Sequence, residues 1–501
     1  MFLKCICTSL VLVGLVHAAK PMEPVDFPTP KVNEYADIAK KAKKSKRKVA
    51  ATGTSEAFQN DIMKPWLTVT TPEGVSDLLK SSYDNYDKYS SPDVKYFLAQ
   101  LHTMIPLKGI VWRLRPLFDT GFKGNRATHV TAVQLVRNIT TTLSAALPTK
   151  QTDALIKYFT MPGPEMTEQS QFHEMTDFQN FLVSDFAKVF ITSIGRIKAL
   201  HEANPEAVWV WDNKMFFGTA AFKSGFNQFV GHGPAERHLS MGLMWEALHD
   251  SYVFSAYNQD ELINIAGKLG RAMGMDVFKE SDSDALGLTD KERVTIMRQI
   301  AKSKGFLDLK GEPGTKSAKN FASGEGRAVM LKAHNAKIWA AIEFEKAYRN
   351  VVGQPANIAM AINPALYQAN VQNRLEGGVE RMLSAVRSQT EFHDTVSSET
   401  VVLNVPQYYK NPPKNLSVLM ATDFEGGELD ASIQGADKKD LKYRNYLFNR
   451  SNKWDNAEWS KYVMMNETQK ADKSYMLKAK RILHYSLGAS PAFGVVDIFV
   501  R

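Results

Sequence analysis

Histidine and glutamate are concentrated in one stretch of the chain. Gly231-His232-Gly233-Pro234-Ala235-Glu236-Arg237-His238 is followed by Glu246 and His249, so three histidines and two glutamates fall within about one helix length. Imidazole and carboxylate are the donors of zinc-type sites and the commonest proton-transfer groups. Glu246, His249 and His232 are therefore the candidate ligands of a divalent metal or members of an acid–base site. Helical geometry limits the set. His238 and His249 are eleven positions apart, which gives them one face but separates them by about 16 Å along a helix axis, too far to share an ion. Glu246 and His249, at i and i+3, keep a useful spacing, although the chain has no second Glu-x-x-His of the kind that di-metal bundles require. His201, His173 or Glu202 would have to complete a mononuclear site. The alternative is that these histidines are partly buried and satisfied by hydrogen bonds.

Other chemistries fit less well. Gly311-Glu312-Pro313-Gly314-Thr315-Lys316-Ser317 has too few residues between its glycines, and Thr315 stands before Lys316, so it fails as a phosphate loop and reads as a surface loop. No G-x-S-x-G or H-E-x-x-H occurs. Glu343, Glu345, Asp423 and Glu425 qualify as catalytic carboxylates only by residue type, since such pairs have no local pattern. His334 and Glu345 share a helix face with Ile338 and Ile342, and a rim position is expected for both.

The elements that would position these groups are mostly helical. Phe178, Leu182, Phe186, Val189, Phe190, Ile194, Ile197 and Leu200 form the apolar stripe of a long amphipathic helix. Val133 to Leu147, about 235–257 and Arg327 to Val352 predict further helices, and Glu380 to Phe392 continues the pattern. Thr289 and Glu292 form a capping box. Near residue 396 the character changes. Thr400 to Val405, Leu416 to Met420 and Val495 to Val500 read as strands, and Tyr475 to Leu487 as a helix. The expected fold is mainly α, a multi-helix body over 66–395 with a smaller mixed α+β C-terminal region over 396–501.

Two further segments precede the body. Residues 1–18 combine Lys4, an apolar run from Cys5 to Val16 and small residues around Ala18, the pattern of a secretory signal peptide. The run is shorter than the ~20 residues that span a bilayer. Cleavage would remove Cys5 and Cys7, the only cysteines, leaving a chain without thiolate or disulfide chemistry. Residues 19–65 form an arm rich in proline and lysine, expected to be disordered. Within it Lys40, Lys41, Lys43, Lys44, Lys46, Arg47 and Lys48 place seven cations in nine residues. Of the formal charge of +9, Lys4 accounts for one and this block for seven, which leaves +1 for everything else. A nearly neutral globule with one cationic arm is not a nucleic-acid-coating protein. Its expected partner is an anionic envelope surface or polymer.

A third candidate is aromatic. Tyr443, Tyr446, Trp454 and Trp459, interleaved with cations between Lys442 and Tyr462, could stack on glycan rings, or could instead pack the C-terminal region. Two functional readings follow: an exported protein, periplasmic or extracellular, that acts by binding, or a hydrolase or metal-dependent enzyme with its site near His232–His249.

Overall fold

Three- and four-residue apolar spacing requires helices with one buried face, and proline and hydroxyl residues set where they start. The computed structural model describes residues 53–117, 149–212, 227–262, 304–351, 354, 359–360, 378–393, 400–419, 423–424, 451–453 and 456–471. The signal-peptide segment, the block at 40–48, the helices expected at 133–147 and 475–487, the 289–292 capping box and the terminal strand lie outside them.

The described protein is mainly helical with small sheets. Its first helix, α1, runs through Glu56–Phe58, a π-turn at Gln59–Met63 and Lys64–Thr68. Ser55 caps it by accepting the Phe58 amide at 3.0 Å. Most of this segment lies inside the arm expected over 19–65, yet Phe58, Ile62 and Met63 are buried there, with Trp66 just beyond. The folded body therefore starts at least ten residues before 66, because the arm's last stretch carries its own apolar stripe. Helix α2 (Pro72–Asp84) follows a Thr71 cap, and α3 (Pro92–Leu101) also opens on proline. Helix α4 spans Thr149–Thr160.

The long stripe from 178 to 200 becomes α5 (Met175–Phe181), a π-turn over Leu182–Phe186, and α6 (Ala187–Ala203). Phe178, Leu182, Phe186, Val189, Phe190, Ile194 and Ile197 are all buried, as the spacing predicts. Strands β1 (Trp209–Asp212) and β2 (Phe229–His232) then pair antiparallel, and β3 (Ala359–Met360) adds parallel to β2.

Helices α7 (Pro234–Ala256) and α8 (Glu325–Asn350) match the predicted bounds within about two residues. They run antiparallel, because early positions of α7 meet late positions of α8. His238 meets Glu343, Trp245 stacks near Trp339 with centroids 6.4 Å apart, and Glu246 meets Lys337. The pairing is close. A Cβ built on Gly242 would lie 2.7 Å from the Phe344 ring, so only glycine lets the helices approach this far. The part of the connection that leads into α8, residues 304–324, is also tightly constrained. Gly311 has φ +65°, and a Cβ there would sit 1.7 Å from the Ala322 carbonyl oxygen. Glu312 in this loop is buried and accepts two hydrogen bonds from Arg327 at 2.6 and 2.9 Å. The expected surface loop is thus pinned to α8.

The C-terminal part corrects three expectations. Helix α9 (Gly378–Arg387) stops short of the expected end, and Thr390–His393 is strand β4 rather than helix. Thr390 and Phe392 point inward while Glu391 is exposed, the alternation of a strand. β4 pairs with β5 (Thr400–Leu403), but Val405 starts α10 (Val405–Lys410) instead of extending the strand. Asn404 caps that helix, and Pro406 suits its first turn. Leu416–Leu419 is a 3₁₀ turn, not a strand. Two short antiparallel strands, β6 (Asp423–Phe424) and β7 (Ser451–Lys453), pair with each other, and β8 (Val463–Met464) pairs with β5.

Gly242→Val should lower stability by about 1–3 kcal/mol, as overpacking of a filled seam does. Adding Phe344→Ala should recover part of that loss. Urea unfolding midpoints measure both, and an unchanged midpoint for Gly242→Val would show that the seam is not close-packed there.

Candidate functional site

Helix α7 is positioned by its start. Pro234 occupies the first turn, and the Gly233 amide donates to Glu236 Oε2 at 2.9 Å, which fixes the entry of the chain. From there one helical turn aligns Glu246, His249 and Asp250 at i, i+3 and i+4. Their ligand-type atoms lie within 4.8 Å of one another. His249 is fully buried, whereas the Glu246 and Asp250 side chains keep 22% and 23% exposure. The group is thus a buried imidazole with two carboxylates at the edge of solvent.

Two other elements complete the group. Lys337 on α8 reaches Glu246 Oε1 at 2.5 Å. Tyr409 on α10 lies 2.8 Å from His249 Nε2, while His249 Nδ1 lies 2.9 Å from Asp250 Oδ1. Burial pushes the Tyr409 hydroxyl well above its ordinary range, so it keeps its proton. With Asp250 ionised, His249 Nδ1–H donates to the carboxylate and Tyr409 donates to Nε2. Burial lowers His249 to about 3, helped by the Lys337 charge, so the imidazole is neutral. Burial raises Asp250 to about 7, against the opposing pull of Lys337. Glu246 Oε2 is buried without a hydrogen-bond partner. His334 orients Tyr409 from the other side: its ring stacks on the tyrosine at 4.7 Å and 6°, and its Nε2–H donates to the Val386 carbonyl at 2.6 Å.

The third candidate ligand, His232, is not part of this group. It lies on β2, stacked on Trp211 at 3.7 Å with Tyr96 at 6.0 Å. Burial holds it near 3, with Arg237 adding to the effect, so it acts as a neutral aromatic plate. His238 is also separate. Its Nδ1 is 2.5 Å from Glu343 Oε2, and its ring lies 4.5 Å from that of His201. His201 therefore cannot complete a site with His249, and His173 is exposed beside Glu168 and Asp177. Neither His334 nor Glu345 sits at a rim: both are buried, and Glu345 pairs with Arg349 at 2.5 Å. The polar interruptions on the α8 face are interhelical and intrahelical ties.

One arrangement with nucleophile-like geometry is ruled out by its protons. His102 Nε2 is 3.0 Å from Ser82 Oγ, and Arg196 donates to His102 Nδ1 at 3.0 Å. A guanidinium cannot accept, so Nδ1 is the lone-pair nitrogen and the proton sits on Nε2. That tautomer donates to Ser82 and cannot take its proton, and Ser82 donates to the Leu79 carbonyl.

Trp459 is 1% exposed and lies in the core beside buried Tyr462, so it packs the C-terminal region instead of offering a stacking face. Tyr443, Tyr446 and Trp454 lie outside the described residues. Glu246 and His249 are legible as Glu-x-x-His, and Asp250 at i+4, outside that motif, completes the turn. Lys337 and Tyr409 stand 91 and 160 residues from their partners and leave no local signal.

Neutral histidines in partly buried surroundings make stability depend on pH. The folded values of His232, about 3, and His201, about 4, lie below the ordinary 6.5. As pH falls through 6.5 the unfolded chain takes up protons first, so the histidine contribution is full above about 7 and declines towards 4, and Asp250, raised to about 7, offsets part of that decline. Unfolding free energies measured at pH 7.5, 6 and 5 should fall in that order, and His232→Phe should flatten part of the decline. Equal slopes for the two proteins would remove His232 as a cause.

Comparison with protein-family models, with curated proteins and with solved structures gives no match.

Proposed function

We propose that this chain is an exported protein that acts by binding at a cell envelope, in the periplasm or outside the cell, with residues 40–48 as its contact to an anionic surface or polymer. One observation carries this reading: seven of the nine net positive charges sit in that block, and the rest of the chain is close to neutral apart from Lys4. A cationic segment of this density gains about 1 kcal/mol per Lys or Arg near an anionic lipid surface, enough for reversible docking. No helix among the described residues is long and apolar enough to cross a membrane. The tripartite pattern of residues 1–18 supports export.

A second reading, a hydrolase or metal-dependent enzyme with its site near His232–His249, is favoured by the convergence of Glu246, His249 and Asp250. In that reading His232 contributes packing, not chemistry.

Deleting residues 40–48 should abolish association with anionic vesicles, and raising salt from 0.1 M towards 1 M should do the same to the intact chain, as the screening length falls from about 10 to about 3 Å. Cosedimentation measures both. Undiminished association of the deletion variant would take the arm out of the function.

A further inference from the structure

We propose that Glu246, His249 and Asp250 bind one divalent transition-metal ion of the zinc class, and that Lys337 is the built-in cation this ion displaces. The proposal deepens the second reading above and rests on the same three side chains. Consecutive and one-turn spacing on α7 holds the donors on a single rigid element, within 4.8 Å of one another. Tetrahedral coordination at about 2.0–2.1 Å needs ligand atoms about 3.3 Å apart, so the donors must close in slightly. Glu246 and Asp250, each about one-fifth exposed, have room to rotate, while the buried His249 is the fixed anchor.

Two observations beyond the cluster point to a cation. Glu246 Oε2 is buried with no hydrogen-bond partner, an acceptor whose lost hydration is not replaced by any donor. A cation already sits against the same carboxylate, since Lys337 Nζ lies 2.5 Å from Oε1 and its side chain is only 11% exposed. The site is therefore built to hold positive charge, and a divalent ion would compete with the ammonium for it. Tyr409 supplies the outer partner that a metal-bound imidazole requires. On binding, His249 changes tautomer without net gain or loss of a proton. Nδ1 gives its lone pair to the ion, Nε2–H donates to Tyr409 Oη, and the tyrosine hydroxyl turns from donor to acceptor. The nitrogen donor selects zinc-like ions over Mg²⁺ and Ca²⁺, which take oxygen ligands.

Calorimetric titration of the chelator-treated full chain with Zn²⁺ tests this, with Glu246→Gln, Asp250→Asn and Lys337→Gln alongside, and with Mg²⁺ and Ca²⁺ in separate runs. One Zn²⁺ per chain is expected. Lys337→Gln should tighten binding at least about ten-fold by removing the competing charge. Each carboxamide variant should weaken it, on the order of 10–100-fold. The proposal is overturned if the intact chain takes up no stoichiometric Zn²⁺, if both carboxamide variants bind like the parent, or if Lys337→Gln weakens binding. Equal uptake of Mg²⁺ would overturn the zinc class. Zn²⁺ bound at this site without hydrolytic activity leaves the metal site standing and removes the enzyme reading. Hydrolysis retained by a chain that binds no Zn²⁺ removes the metal site alone.

Discussion

The architecture depends on how closely α7 and α8 approach each other. Gly242 brings the two backbones to a distance at which the Phe344 ring occupies the place of a side chain. At that separation the polar groups that meet across the seam are in direct contact, so each needs a complementary partner there. His238 finds Glu343 and Glu246 finds Lys337, and these ties set the register of the pair. A slip of one residue would separate both and leave buried charge unmatched, a far larger penalty than the pairs gain by forming.

The polar groups of the body divide by what water can reach. His232, His238 and His102 sit in enclosed surroundings, where aromatic rings, a carboxylate or a guanidinium fix their orientation. Glu246 and Asp250 differ because they keep part of their surface exposed while sharing a turn with a fully buried imidazole. Fixed donors next to movable ones are what ligand exchange requires, and among the candidate groups the 246–250 turn combines them.

Much of the helical architecture was legible in the sequence, because apolar spacing is a local property. The stripe from Phe178 to Ile197 and the bounds of α7 and α8 follow directly from it. The π-turn at Leu182–Phe186 does not, since one extra residue per turn leaves the apolar order intact. The C-terminal errors share a cause. Val405 is β-branched and Leu416 opens a short apolar run, but the Asn404 cap with Pro406 and the Asn415 turn, whose Oδ1 accepts from the Ser417 amide, decide the local structure instead. Half of the candidate site was visible as Glu-x-x-His. The rest depends on α8 and α10 arriving from far along the chain. Trp459 stays open between stacking and packing in the sequence, because an aromatic residue reads the same whether it lies on a ligand or in the core.

Arg237 has a consequence for the order in which the chain can fold. Its guanidinium is fully buried and donates to the carbonyls of Asn204, Pro205 and Ala207 while lying over the Trp209 ring at 4.6 Å. These carbonyls close the end of α6 and the turn into β1, so the turn is completed by a residue about thirty positions downstream. During synthesis the turn that leaves α6 cannot be completed until the first turn of α7 has emerged and docked. Until then the carbonyls of Asn204, Pro205 and Ala207 lack the guanidinium that gathers them, so the exit from α6 is settled by a residue made later.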